Sequence, residues 1–219
     1  MQINPQFHHP STLLVSGCTG SGKTHWIMRF LSNLNELMDH PIERVLYCYG
    51  ELNDYVMELE RKRVLGNGVH VETRRGVVPE EELRKLASEG NLLVVLDDLI
   101  LGMDTHYLDT LFTRGSHNWG ITIVCVTQHL FSKELRTARA NSHYIVLLRN
   151  PSGLLQIRNL ATQLFPQKGA FFMEAYHDAT AKPYSYLLID MHPETEQDLR
   201  LKTRIFPDEL TIVYKAKST

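Results

Sequence analysis

Eight consecutive residues, Gly17-Cys18-Thr19-Gly20-Ser21-Gly22-Lys23-Thr24, follow the spacing G-x-x-x-x-G-K-[ST], and the chemistry of that spacing is the capture of phosphate. Glycines at 17, 20 and 22 permit a tight curl in which successive backbone N–H groups point at phosphate oxygens, and a helix starting at the end of the loop adds partial positive charge. Lys23 is placed to reach the β and γ phosphates as a point charge, and the Thr24 hydroxyl to ligate Mg²⁺. A pair of acids ends the apolar run Leu92-Leu93-Val94-Val95-Leu96-Asp97-Asp98. Asp97 in such a position holds Mg²⁺ through water, and Asp98 orients and deprotonates an attacking water, a role many ATPases give to glutamate. Gln128 closes a third apolar run, Ile121 to Thr127, where it can hydrogen-bond the γ phosphate or the lytic water and sense hydrolysis.

These groups work together only if the chain delivers them to one edge of a sheet. Leu13-Leu14-Val15 reads as a buried strand and His25 to Leu31 carries apolar residues at helical spacing, so the octet joins a strand to a helix. Strand-like runs at 11–16, 44–49, 69–73, 92–97, 121–127, 144–149 and 186–190 alternate with helical stretches near 25–37, 52–63, 79–88, 104–116, 132–140, 153–163 and 169–176. That alternation predicts an α/β, doubly wound, mostly parallel sheet, and with the octet and the acidic strand it resembles the RecA-like (ASCE) P-loop NTPases. Residues 11–192 are expected to form one core, with 1–10 a flexible extension and 193–219 a tail packed on or beside it.

Two strands fall between Lys23 and Asp97, which suits a sheet with another strand between the two nucleotide-binding ones. The sequence has no N-K-x-D guanine-reading motif, no D-x-x-G after the acidic strand and no S-G-G-Q signature. ATP with Mg²⁺ is therefore the expected cofactor pair.

Composition bounds the remaining classes. The chain has 219 residues, 43% hydrophobic and 22% charged, enough for one buried core. No apolar run approaches the ~20 residues of a membrane span and the first ten residues lack a signal-peptide core, so a soluble, intracellular protein without membrane contact is expected. Cys18, Cys48 and Cys125 are odd in number and lack metal-site spacing, and the eleven histidines form no H-E-x-x-H pattern. They read as reduced thiols and as ordinary surface or capping side chains, with His8-His9 an exposed pair. A formal net charge of −2 means that any contact with nucleic acid depends on a local basic patch.

The tract Thr113-Arg114-Gly115-Ser116-His117-Asn118-Trp119-Gly120-Ile121, continuing through the strand to Thr127-Gln128, resembles the FtsK/HerA group of P-loop motors, and the likeness continues at Ala140-Asn141 and Tyr144 to Arg149. More closely, Leu111 to Pro151, with Tyr184 to Asp190 and Arg204-Ile205-Phe206-Pro207, is similar to genome-packaging ATPases of Polinton-like and adintovirus-like DNA viruses, distant relatives of the poxvirus packaging ATPase. The resemblance implies a homo-oligomeric ring that hydrolyses ATP between subunits and pushes double-stranded DNA into a preformed capsid, with capsid or portal vertex proteins as partners. It also implies an intracellular location in an infected host, at the nucleus or virus assembly site. A shared site of that kind needs an arginine donated by a neighbour. Arg114 matches the basic position of the group's Arg-Gly segment, with Arg139 and then Arg136 behind it. DNA phosphates are assigned to Arg74 and Arg75, read as a loop before Gly76, while Arg61-Lys62-Arg63 suits a helix end. Alternatives are a non-packaging translocase or helicase of the same superfamily and, further off, a small-molecule or nucleoside kinase.

Overall fold

The computed structural model describes residues 7–216. Among these, nine strands form one sheet: β1 (Thr12–Ser16), β2 (Arg44–Tyr49), β3 (His70–Arg75), β4 (Leu92–Asp97), β5 (Ile121–Thr127), β6 (Tyr144–Leu148), β7 (Tyr186–Asp190), β8 (Leu201–Thr203) and β9 (Ile212–Tyr214). Their spatial order is β3-β2-β4-β5-β1-β6-β7-β8-β9. The first six in that order are parallel, and β7, β8 and β9 add antiparallel. Strands β1 and β5 are buried along their whole length, as unbroken apolar runs must be when helices cover both faces.

The period-2 alternation of each strand splits its side chains between two cores. Leu13, Val15, Val45, Tyr47, Leu93, Val95, Val124 and Val126 face helices α1 (Lys23–Ser32), α2 (Leu34–Leu37) and α3 (Asp54–Lys62). Leu14, Leu46, Val94, Leu96, Ile123 and Cys125 face the opposite layer, built from α4 (Glu80–Ser88), α5 (Thr105–Thr110), α6 (Ser116–Trp119), α7 (Arg136–Ala140), α8 (Leu154–Leu164) and α9 (Gly169–Ala179). Leu83, Leu108, Ile157, Leu160 and Phe172 supply that layer's apolar stripes. The sheet is therefore doubly wound.

Several elements depart from the sequence expectation. The stretch 25–37 is two helices broken at Asn33, whose N–H turns back to Phe30 O at 3.1 Å. The stretch 104–116 continues to Trp119 through a π-helical segment, Leu111–Gly115, joining α5 to α6. Only Arg136–Ala140 is helical within 132–140, because Ser132 and Leu135 spend their N–H groups on tight turns to His129 and Ser132.

The expected flexible extension 1–10 is corrected over the part that is described. Phe7 is 1% exposed, its ring edge-on to Phe30 at 5.2 Å and Tyr144 at 4.8 Å. Its backbone bonds Leu37 O and the Asp39 N–H, and Asp39 also accepts from the His9 N–H and meets the His8 ring at 2.8 Å. An aromatic side chain with that much apolar area to bury anchors the segment; residues 1–6 lie outside the described residues. Nor is the His8-His9 pair a free surface pair: His8 stacks on His192 at 4.0 Å.

The tail completes the sheet. Lys202 of β8 donates to Asp190 of β7 at 2.8 Å, a buried pair whose carboxylate also accepts from the His192 N–H and the Thr195 hydroxyl. Arg29 on α1 lies 4.2 Å over the Phe206 ring and pairs with Asp208 and Glu209, tying the tail to the helix that follows the phosphate loop. No helix among the described residues is long and apolar enough to cross a membrane.

Candidate functional site

Parallel registration decides where the chemistry gathers. Ser16 pairs with Thr127 and Asp97 with Val126, so the loop after β1, the acids ending β4 and Gln128 after β5 emerge at one edge, the carboxyl edge of adjacent strands. In open α/β sheets this is where ligands bind. β5 lies between β1 and β4, so Gln128 is interposed between the loop and the acids.

The loop is shaped by two close approaches. A Cβ at Gly17 would come within 2.4 Å of Ser21 Oγ and 2.8 Å of Leu148 Cβ, closer than real side chains tolerate. Gly22, which caps α1, has φ +104°, and a Cβ there would meet Tyr184 Cδ1 at 2.5 Å. Lys23 Nζ donates to Gly17 O at 2.9 Å and Cys18 O at 3.0 Å, folding its side chain back over the loop. Burial lowers the lysine's pKa, and the opposing charges of Asp98 and Asp97 hold it up. The Cys18 thiol donates to Arg149 O at 3.2 Å, fastening the loop to the end of β6.

Asp97 sits half-buried at the end of β4, and desolvation raises its pKa; a hydrogen bond from Tyr47 and the charge of Lys23 pull the other way, while Asp98 adds to the rise. The Tyr47 hydroxyl donates to Asp97 Oδ2 at 2.7 Å from β2, reaching diagonally across the sheet because Tyr47 pairs in register with Val95. Asp98 is exposed with φ +53°, a left-handed conformation that Asp tolerates better than most residues, and it turns the chain out of the sheet. Gln128 accepts from the Thr19 hydroxyl at 2.9 Å through Oε1, a direct link between β5 and the phosphate loop.

The residues present fit a magnesium nucleotide. Ser21 Oγ is buried with no hydrogen-bond partner among the described residues, a buried polar group of the kind that calls for a ligand or water. The Thr24 hydroxyl is exposed at the first turn of α1, and Thr24 and Asp97 offer the oxygen donors that Mg²⁺ prefers.

Arg114 lies exposed in the π-helical segment and makes no ion pair among the described residues. Arg139 donates to Leu130 O of its own chain at 2.7 Å and covers the Phe131 ring at 4.9 Å, so it braces the loop after β5. Arg136 is exposed. Arg74 and Arg75 are not in a loop: they are the last residues of edge strand β3, and Arg74 is paired with Glu72 and Glu82. A concavity of about 880 Å³ runs beside that strand, lined by Arg44, Glu60, Arg63, Glu72, Arg74 and Glu89 among others. It is remote from the phosphate loop in the strand order and shares none of its residues. Tyr47 and Tyr184 are the neighbours of the site that sequence reasoning missed; the alternation in β2, which puts Tyr47 on the α1 face with Val45, was the one available signal for the first.

Comparison with solved structures matches this fold. The genome packaging NTPase B204 of Sulfolobus turreted icosahedral virus 2, solved with ATP-γS and with AMPPCP, is similar at TM-score 0.53 in both. The matches cover 94% and 95% of this chain and 97% and 98% of that one, at 12% and 13% identity. The fold is that of a RecA-like P-loop NTPase. The cytoplasmic domain of the Type VII secretion ATPase EccC from Thermomonospora curvata shares this P-loop NTPase fold at TM-score 0.53 and 16% identity; the match covers 94% of this chain and 25% of that one. No family model matches the chain, and no curated protein matches it by sequence.

Proposed function

We propose that this chain is an ATP-hydrolysing motor that drives double-stranded DNA into a preformed viral capsid as a homo-oligomeric ring. The observation that carries the reading is the convergence of Lys23, Asp97, Asp98 and the Thr19–Gln128 pair at one sheet edge. Its support for packaging comes from B204, a genome packaging NTPase whose length this fold matches nearly end to end.

In this reading the loop N–H groups and Lys23 bind and orient the triphosphate, Lys23 exchanging its two loop carbonyls for phosphate oxygens. Asp98 accepts the proton of the attacking water, and Gln128 orients that water. Thr24 and Asp97 would hold Mg²⁺, which would supply positive charge to the triphosphate. Release of the γ phosphate changes what Gln128 bonds, and Thr19 shares that change with the loop.

Arg114 is assigned as the cation donated to a neighbouring subunit's site, and Arg75 with Arg74 as contacts to DNA phosphates. Arg75 makes no ion pair among the described residues, whereas Arg74 must leave two glutamates to reach DNA. Capsid or portal vertex proteins are the further partners, an infected host cell the setting, and Polinton-like and adintovirus-like packaging ATPases the proposed kin.

The test is phosphate release with and without duplex DNA, on the wild type and on Lys23→Ala and Asp98→Asn. Stimulation by DNA, abolished turnover in the first variant and ATP binding with slowed hydrolysis in the second support the motor; unchanged turnover in Asp98→Asn removes the assigned base. Mixing Arg114→Ala with Lys23→Ala subunits should restore partial activity if Arg114 acts across an interface. The likeness to EccC, a Type VII secretion ATPase, favours a second reading, a translocase of this superfamily whose cargo is not DNA, and turnover indifferent to duplex DNA would select it.

A further inference from the structure

The loop between α9 and β7 contains a residue that its own backbone geometry argues against. Lys182-Pro183-Tyr184-Ser185 is a tight turn, closed by the Ser185 N–H on Lys182 O at 3.3 Å and by the Ser185 hydroxyl on the same oxygen at 2.7 Å. Proline stands at its second position and Tyr184 at its third, with φ +61°. Turns with this pattern ordinarily give the third position to glycine or asparagine. Here it carries an aromatic ring that is 57% exposed, so neither local conformation nor burial accounts for it, and strained positions of this sort cluster at ligand clamps.

The ring's surroundings say which ligand. Tyr184 packs against the last glycine of the phosphate loop, with its Cδ1 2.5 Å from where a Gly22 Cβ would stand. The ring also stacks with His25, centroids 5.5 Å apart and planes 28° apart, and His25 is exposed in the first turn of α1. The strand order sets the direction: the acids and Gln128 end β4 and β5 on one side of β1, whereas Tyr184 precedes β7, beyond β6, on the other. A triphosphate whose γ end meets Asp98 and Gln128 and whose chain follows the loop to the start of α1 leaves its sugar and base on the Tyr184 side.

We propose that Tyr184, with His25 beside it, is the platform on which the nucleotide base stacks. The inference rests on the nucleotide reading of the phosphate loop and adds to it the means by which the base is held. An aromatic face responds to the size and polarisability of a base, as in other stacking sites, and not to its hydrogen-bonding edge. The site therefore prefers purine over pyrimidine triphosphates and separates ATP from GTP weakly.

The experiment uses the full chain with Mg²⁺ and measures binding of ATP, CTP and inorganic tripolyphosphate by calorimetry, with melting temperature recorded in parallel. Tyr184→Gly is the informative variant, because glycine suits the turn and should hold or raise the melting temperature. ATP affinity is expected to fall roughly tenfold, the scale of one lost stacking partner, with tripolyphosphate affinity unchanged and the ATP-over-CTP preference reduced; Tyr184→Phe should retain wild-type ATP affinity. Equal loss of ATP and tripolyphosphate would overturn the platform and make Tyr184 a prop for the loop, as would ATP affinity within twofold of wild type. If the wild type binds tripolyphosphate and no nucleotide better, the platform fails while the phosphate loop stands. Binding of none of the three by the wild type removes both.

Discussion

Tyr47→Phe deletes one oxygen, the hydroxyl that donates to Asp97 Oδ2 at 2.7 Å, and the consequence for catalysis can be worked through. In its proposed role Asp97 serves Mg²⁺ only as a carboxylate. Burial raises its pKa and the Tyr47 hydroxyl opposes that rise, so removing the donor lets the pKa climb further. A hydrogen bond to a charged group is worth about 1.5–3 kcal/mol, and one pKa unit corresponds to about 1.36 kcal/mol. The acid limb of the kcat/KM profile should therefore move to higher pH by about one to two units, with activity lost earlier on acidification. Ionisation of ATP is common to both proteins and cancels in the comparison. Tyr49→Phe is the matched control: two residues along the same strand, it loses a hydroxyl that donates to Glu60 at 2.9 Å, and its limb should stay with the wild type. A Tyr47→Phe protein that folds normally and keeps the wild-type limb would refute the coupling between this tyrosine and the proposed magnesium carboxylate.

Three further outcomes follow from the same geometry. Gly17→Ala pushes a methyl against Ser21 Oγ and Leu148 Cβ, and overpacking of that kind should cost about 1–3 kcal/mol, read by urea denaturation, together with a loss of ATP affinity. Thr19→Val and Gln128→Ala should be non-additive in kcat/KM, with a coupling of about 1 kcal/mol from the bond they share; strict additivity would count against a sensor wired to the loop. His143 accepts at Nδ1 from the Thr12 N–H at 3.1 Å, and burial with the nearby His192 and His117 lowers its pKa from 6.5 to about 4. Since the unfolded chain binds the proton more readily, stability should fall as pH drops from about 6.5 towards about 4, by about 1–2 kcal/mol after allowing for the ring's partial exposure. His143→Asn, which keeps an acceptor for Thr12 and does not titrate, should flatten that part of the curve measured by thermal melting.

Local chemistry was the legible part of this chain. β2, β4, β5 and β7 have the bounds their apolar runs suggest, because a strand buried on both faces advertises itself as an unbroken run. The phosphate loop is contiguous, so its glycines, Lys23 and Thr24 can be read from eight residues. β8 escaped because Lys202 reads as a surface residue until Asp190, twelve positions earlier on β7, is brought beside it. Phe7 escaped because a lone aromatic in a polar segment gives no periodicity, and its partners Phe30 and Tyr144 are far away in the chain. Arg74 and Arg75 looked like loop residues before a glycine, yet pairing with Cys48 and Tyr49 of β2 carries β3 through both.

The same distinction runs through the site itself. Most groups proposed to touch phosphate lie in motifs whose spacing is local, whereas others arrive through topology: Tyr47 by a diagonal reach across β2 and β4, Tyr184 by a turn before β7 that abuts Gly22, and Gln128 by following the strand between loop and acids. Strand order thus does two things at once. It brings three carboxyl ends to the edge where the γ phosphate is proposed to sit, and it places β6 and β7 on the far side of β1, the flank proposed for the base. A rearranged order that moved β7 next to β4 would keep every motif in the sequence and lose that division of labour.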